Sequence, residues 1–245
     1  IVMFLENKYL KFKGLNLSIE TLDGLLKHNG PIKNLSLVDK LIGLKNLKKK
    51  FTFNQFSSLE GQISAISDDI AYNNHDIQDG IKAKMFSLNE LVEINFFNDI
   101  YKTHKRNLTK NNKNILIYQI IRDSIDLMVK DLIKNTIQNL KIFKIRSIDD
   151  IYKIRKPIVC FSNEYIEIDN EIRSFLRTNM YNNKNVLKKN NKGKTIVRDL
   201  FMLIEKKPNK FLTKEELKKN KFRAIADFIS GMTDRFAIKL HKEIK

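Results

Sequence analysis

The sequence predicts an all-α protein, and three observations support this fold class. Glycine (8 copies) and proline (3 copies) are scarce in 245 residues, so few residues would interrupt helices. Apolar residues recur at three- and four-residue spacing over long segments, as in amphipathic helices. Serine or threonine stands three residues before an acidic residue at several expected helix starts. A chain of this length can bury a substantial core, and we expect residues 1–245 to form a single helical domain.

The expected helices follow in order along the chain. The first lies within residues 15–28, begins after Ser18 and is stopped by Asn-Gly-Pro at 29–31. Residues 32–56 are lysine-rich and irregular. Pairs that form capping boxes predict four later helix starts: Ser57 with Glu60, Ser87 with Glu90, Ser147 with Asp150 and Thr213 with Glu216.

The longest expected helix covers residues 113–141. Five of its apolar residues fall on one face: Ile117, Ile121, Ile125, Met128 and Leu132. Further helices are expected at 163–181 and 194–207, with an Asn- and Lys-rich break at 181–194 between them. We expect a last helix over 221–243, in which Gly231 would allow close packing of a neighbouring helix.

Residues 59–81 predict a helix with two contrasting faces. Its apolar residues fall within one narrow arc: Leu59, Ile63, Ile66, Ile70, Ile77 and Ile81. The opposite side carries Asp68, Tyr72, His75 and Asp79, with Asp76 at its edge. A solvated helix face would look similar, but this one lacks lysine and stacks a tyrosine between two carboxylates at i, i+4 and i+8, and carboxylates stacked without cations repel unless something neutralises them. A metal ion or a sugar hydroxyl would serve.

The composition limits the partners and the compartment. The net charge of +18 attracts polyanions such as nucleotides, nucleic acid and acidic lipid, although lysine supplies 37 of the 46 basic residues and a compositional bias explains much of the excess. The lysine-rich segments 45–50 and 182–194 could contact single-stranded nucleic acid or could simply be solvated loops. The single cysteine, Cys160, excludes an internal disulfide and suits a reducing cytoplasm. No apolar stretch approaches a membrane span, so no membrane partner is expected.

Four blocks of the sequence resemble a known family. They are GLNLSIETLDGLLKHNGP (14–31), SLEGQISAISDDIAYNNHDIQDG (58–80), EIRSFLRTNMY (171–181) and FRAIADFISGMTDRFAIKLH (222–241). These blocks look like those of HD-domain deoxyguanosine triphosphate triphosphohydrolase-like proteins, and the resemblance runs from end to end of the chain. It implies an HD-domain, phosphodiesterase-like helical fold. It also implies hydrolysis of a dNTP, with dGTP expected, to a deoxynucleoside and triphosphate at a Mg²⁺ or Mn²⁺ site.

The same resemblance implies roles for five residues. Asp68 matches the last metal ligand of the family, and Tyr72 and Asp76 match residues that face the deoxyribose. Arg173 would contact the triphosphate and Tyr181 the nucleoside. The dipeptide His75-Asp76 is therefore not the His-Asp pair that gives the family its name.

The resemblance also implies what is missing. The family's first metal-binding His and its true His-Asp pair precede the first matching block, so we expect an N-terminally truncated, C-terminal portion that lacks three of four metal ligands. No catalytic residue is assigned, a divalent metal is expected only if the missing ligands are supplied by an upstream fragment, and the chain alone is expected to be inactive. Asn183 stands where the family usually has His. The alternative is a non-catalytic remnant or subunit that binds nucleotide, nucleic acid or a partner chain, including a homo-oligomer.

Overall fold

The computed structural model describes residues 2–3, 5–34, 52–107 and 112–245, which contain eleven α-helices and no β-strand. The predicted all-α class is therefore confirmed for the described part of the chain. The helices are α1 (Ile19–Leu26), α2 (Leu59–Lys82), α3 (Leu88–Leu91), α4 (Asn95–His104), α5 (Lys113–Ile142), α6 (Ile148–Lys153), α7 (Asn163–Leu176), α8 (Lys184–Lys206), α9 (Lys214–Lys219), α10 (Lys221–Ser230) and α11 (Asp234–Ile244). The lysine-rich segment 45–50 lies outside the described residues.

Most helices begin where the capping pattern predicts. Ser18 caps α1 by accepting a hydrogen bond from the backbone N–H of Thr21, and complete capping boxes open α3, α6 and α9. The prediction for α2 is wrong by one residue, because Ser58 rather than Ser57 is the cap. Ser57 is buried, and its carbonyl oxygen accepts a hydrogen bond from the side chain of Gln62 at 2.8 Å.

The largest group of buried apolar residues lies between α2, α4, α5 and α7. The predicted stripe on α5 faces this core: Ile117, Ile121, Met128 and Leu132 are buried, and Ile125 packs against the group. Ile77 of α2 and Phe97 of α4 are fully buried in the same group. Helix α2 packs against α5 and also against α7. The core therefore fixes the positions of the helices that carry the candidate site residues.

A smaller apolar group lies at the C-terminal end. It contains Ile196, Leu200 and Ile204 of α8 together with Leu212 and Ile225. The described residues thus contain more than one apolar group, and the expectation that the chain forms a single domain stays a prediction. None of the helices in the described part of the chain has the length and hydrophobicity that a membrane span requires.

Two predicted boundaries in this region are wrong. The expected break at 181–194 is helical from Lys184 onward, because Asn183 caps α8 by accepting a hydrogen bond from the backbone N–H of Asn185. The expected single helix over 221–243 is divided into α10 and α11, because Thr233 caps a new helix by accepting from Phe236. Gly231 ends α10, and a Cβ atom there would meet nothing closer than 3.6 Å, so it does not permit an unusually close helix contact.

The core-facing side of α2 is wider than the apolar arc. Ile70 and Ile77 are buried as predicted, but Ile63 of the same arc is 47% exposed. Polar side chains beside the arc are buried: Gln62, Asn73, Asn74 and Gln78. Buried polar groups need hydrogen-bond partners, and the amide of Gln62 meets this need by accepting from the backbone N–H groups of residues 158 and 159 at 2.9 and 3.1 Å.

We expect Ile77→Ala to lower the free energy of unfolding by about 2–5 kcal/mol, because it opens a cavity in the centre of the large apolar group. The matched control is Ile63→Ala on the same helix, whose exposed side chain should cost less than about 1 kcal/mol. Urea denaturation followed by circular dichroism measures both values. Equal losses for the two variants would contradict the difference in burial between these two side chains.

Candidate functional site

The candidate site lies where α7 packs beside the polar face of α2. Asp68, Tyr72 and Asp76 lie on α2 on the side away from the apolar core, and Tyr72 is 61% exposed. The prediction that these three residues lie on one helix is confirmed. Of the residues predicted on the opposite face, Ile70 is buried and Leu59 and Ile66 pack against the core, whereas Ile63 is exposed. The functions of Asp68, Tyr72 and Asp76 are a separate matter and stay predictions.

Arg173 of α7 joins the two helices by ion pairs. Its Nε atom donates to Asp169 Oδ2 at 2.7 Å, and its Nη2 atom donates to Asp69 Oδ2 of α2 at 3.0 Å. Burial alone would lower the pKa of Arg173, but the hydrogen bonds and negative charges of Asp169 and Asp69 outweigh it and raise this pKa. The guanidinium is about half exposed, so it stays within reach of a ligand on the surface.

Asp169 is the buried centre of this contact, and the sequence interpretation missed it. Its Oδ1 atom accepts a hydrogen bond from the Asn73 side chain of α2 at 2.9 Å, while Oδ2 accepts from Arg173. Both Asp169 and Asn73 are buried. The spacing of Asp169 and Arg173 at i and i+4 is a signal that could have indicated the ion pair, but nothing local to the sequence points to Asn73.

Tyr181 also reaches α2 across the same junction. Residues Arg177–Tyr181 form a single π-helical turn after α7, closed by a hydrogen bond from Asn182 N–H to the Arg177 carbonyl at 2.9 Å. The Tyr181 hydroxyl donates a hydrogen bond to the Asp76 carboxylate. Burial, this hydrogen bond and the charge of Asp76 raise the pKa of Tyr181 to about 12. The structure thus brings together the two blocks that contain Asp76 and Tyr181.

Asp68 has a neighbour to which the resemblance assigns no role. His28 follows α1, and its Nε2 atom lies 3.5 Å from Asp68 Oδ2. The approach of α1 to α2 depends on two glycines, because a Cβ atom on Gly61 would lie 3.2 Å from the Cα atom of Gly24. His75 is exposed and has no assigned role.

These residues do not by themselves fit a divalent metal ion. His28 and Asp68 are two donors, both about half exposed, whereas such an ion is held by three or four protein ligands at catalytic sites. Among the described residues, no three or more His, Cys, Asp or Glu side chains stand together in a way that could hold a metal. Asp68 therefore has one potential co-ligand within this part of the chain.

Comparisons with known proteins agree with the resemblance. The model of a family described as "Phosphohydrolase-associated domain" matches residues 159–243. The whole chain is 68% identical to a protein of Pelagibacter ubique, and it is 37% and 33% identical to proteins of Bartonella quintana and Rickettsia prowazekii. All three are named deoxyguanosinetriphosphate triphosphohydrolase-like protein. The chain spans 64% to 66% of the length of these relatives.

We expect the phenol of Tyr181 to titrate near pH 12 and that of the Asp76→Asn variant to titrate closer to the ordinary value of about 10. The fold favours the neutral phenol, so this contribution to stability is complete below about pH 10 and is lost as the pH rises towards 12. Tyrosine labelled with ¹³C at Cζ and followed by NMR reports the pKa directly. Asp79→Asn, on the exposed face one turn further along α2, is the control and should leave the pKa of Tyr181 unchanged.

Proposed function

We propose that this chain supplies the nucleotide-binding face of a dNTP triphosphohydrolase. The chain belongs to the family of deoxyguanosinetriphosphate triphosphohydrolase-like proteins. The reaction would convert a dNTP, with dGTP as the expected substrate, and water into a deoxynucleoside and triphosphate. The observation that carries the proposal is the junction of α2 and α7, where Tyr181 contacts Asp76 and Arg173 contacts Asp69. This junction gathers a cation, carboxylates and two exposed aromatic rings on one surface.

The chemistry of these side chains suits the parts of a nucleotide. A guanidinium binds phosphate oxygens through several donors, and Nη1 of Arg173 has no hydrogen bond to the described residues. We propose that Arg173 contacts the triphosphate. The Asp76 carboxylate and the Tyr72 phenol would bind sugar hydroxyls, and Tyr181 would lie against the nucleoside. Binding of phosphate to Arg173 would then displace the Asp69 carboxylate, which would need another partner away from the phosphate.

The proposed role of Asp68 is to bind a divalent metal. A metal at such a site would polarise the phosphate and activate a water molecule. His28 and Asp68 are too few to hold the ion, so any further ligands would have to come from outside the described cluster. We therefore derive no catalytic step from these residues, and the activity of the longer relatives is proposed rather than established for this chain.

A non-catalytic role in nucleic-acid or partner binding is the alternative. It rests on the net charge of +18 and on the lysines at the start of α8. Both functions would suit the cytoplasmic location that the single cysteine predicts. A nucleotide-binding face explains the junction of α2 and α7, which the net charge leaves unexplained, and for this reason we favour the nucleotide.

We expect the 245-residue chain to bind dGTP, and Arg173→Ala to raise the dissociation constant by about tenfold or more, because a hydrogen bond to a charged group contributes about 1.5–3 kcal/mol. Isothermal titration calorimetry measures both constants. Arg223→Ala is a matched control, since Arg223 also forms an i,i+4 ion pair with an aspartate on an exposed helix face. Equal effects of the two substitutions would contradict a triphosphate contact by Arg173.

We expect no release of triphosphate from dGTP above the buffer rate when this chain is incubated with Mg²⁺ or Mn²⁺. The reason is the shortage of metal ligands around Asp68. Product analysis by ion-exchange chromatography provides the measurement, and Asp68→Ala provides the comparison. Robust turnover that disappears in Asp68→Ala would show that the chain carries a complete site.

A further inference from the structure

An acidic groove lies on the opposite side of α7 from the candidate site residues of α2. It has a volume of about 740 Å³ and is bounded by α4, α5 and α7. Its floor is apolar and includes Phe96, Leu127 and Ile168. Six carboxylates line it: Asp99, Asp123, Asp126, Glu164, Glu167 and Glu171. No lysine or arginine is among the described residues that line the groove, although the chain as a whole is strongly basic.

The three glutamates of α7 differ from the other carboxylates of the groove in having no ion-pair partner among the described residues. Asp99 and Asp126 pair with lysines of their own helices, and Asp123 pairs with His104. Within the described structure, Glu164, Glu167 and Glu171 form no ion pair, and all three are exposed. Their spacing at i, i+3 and i+7 places them in one row that extends about 10 Å along the helix. A cationic, amphipathic partner would neutralise this row of like charges and would cover the apolar floor beside it.

The first half of α8 is a basic segment in which no residue is buried by the described part of the chain. No residue from 184 to 195 is buried, and Gly193 has nothing within 4 Å of where its Cβ would be. The segment carries five lysines, at 184, 188, 189, 192 and 194, and no acidic residue occurs between 182 and 198. None of these lysines forms an ion pair with the described residues. A solvated helix rich in Asn, Gly and like charges has little intrinsic stability.

We propose that the acidic groove of one copy of this chain receives the lysine-rich first half of α8 from a second copy. The charges are complementary, and the row of Lys184, Lys188 and Lys192 extends over about 12 Å, close to the length of the glutamate row. Lysine side chains can lay their aliphatic stems on an apolar floor while their ammonium groups reach carboxylates at the rim. Leu187, which is exposed on α8, adds an apolar contact.

The same pair of surfaces can be used twice in one assembly. If two copies face each other across a two-fold axis, each groove holds the α8 segment of the other copy, and the assembly closes as a dimer. The net charge of each copy opposes association at long range, but at physiological salt the Debye length is about 8 Å, so repulsion between distant charges is largely screened. Contacts at the groove are screened less because they are partly buried.

The test is a reciprocal charge exchange in the full chain, measured by sedimentation velocity over a range of concentrations. One variant carries Glu167→Lys and Glu171→Lys in the groove, and the other carries Lys188→Glu and Lys192→Glu on α8. All four positions are exposed, so folding should be retained. We expect each variant alone to raise the dissociation constant of self-association by at least about tenfold, because opposite charges are replaced by like charges. Mixing the two variants should restore association.

A control variant carries the same change in charge as the α8 variant, but at positions outside both proposed surfaces. Lys207→Glu and Lys210→Glu lie after α8 and are exposed, and this variant should associate like the unaltered chain. A monomeric unaltered chain at every concentration would overturn the proposal, as would failure of the mixed variants to associate. Association that survives in Lys188→Glu/Lys192→Glu, with loss of binding to a single-stranded oligonucleotide instead, would assign the α8 lysines to nucleic acid and overturn the proposal as well.

Discussion

The contact that organises this molecule is the buried carboxylate of Asp169 between α2 and α7. A carboxylate that is removed from water requires donors, and Asp169 has one from each helix, namely Asn73 and Arg173. The bond from Asn73 joins α2 to α7, whereas the bond from Arg173 lies within α7 and orients its guanidinium. Arg173 is then directed towards Asp69, and the chain beyond α7 is directed towards Asp76. The position of Arg173 in the candidate site thus depends on the buried carboxylate of Asp169.

Local patterns predicted the helices well where local interactions decide the outcome. The capping boxes at Ser87, Ser147 and Thr213 form as expected, because both partners lie within four residues. The prediction that Ser57 caps α2 is wrong for a tertiary reason. The side chain of Gln62 donates to the Ser57 carbonyl and also accepts from the backbone N–H of Ile158. The helix cap therefore moves to the next serine.

The candidate site could be predicted only in part. The face of α2 followed from periodicity, whereas the partners Asp76 and Tyr181 are 105 residues apart and came from family resemblance rather than from spacing. Asn73 and Asp169 were missed because amides and carboxylates normally indicate solvent, and only the approach of α7 buries them. Similarly, the Asn- and Lys-rich start of α8 has the composition of a loop, yet the cap at Asn183 begins a helix there, whose apolar stripe follows from Ile196 onward.

The π turn at Arg177–Tyr181 has a consequence for comparing this chain with its relatives. A turn closed between residues i and i+5 contains one residue more than a regular helical turn. The wider turn absorbs this extra residue, so deleting one residue there and closing the turn as an ordinary helix would leave the following side chains in nearly the same orientation. Tyr181 would then still face Asp76. A one-residue alignment gap within this segment is therefore compatible with the same tyrosine contact in a homologue.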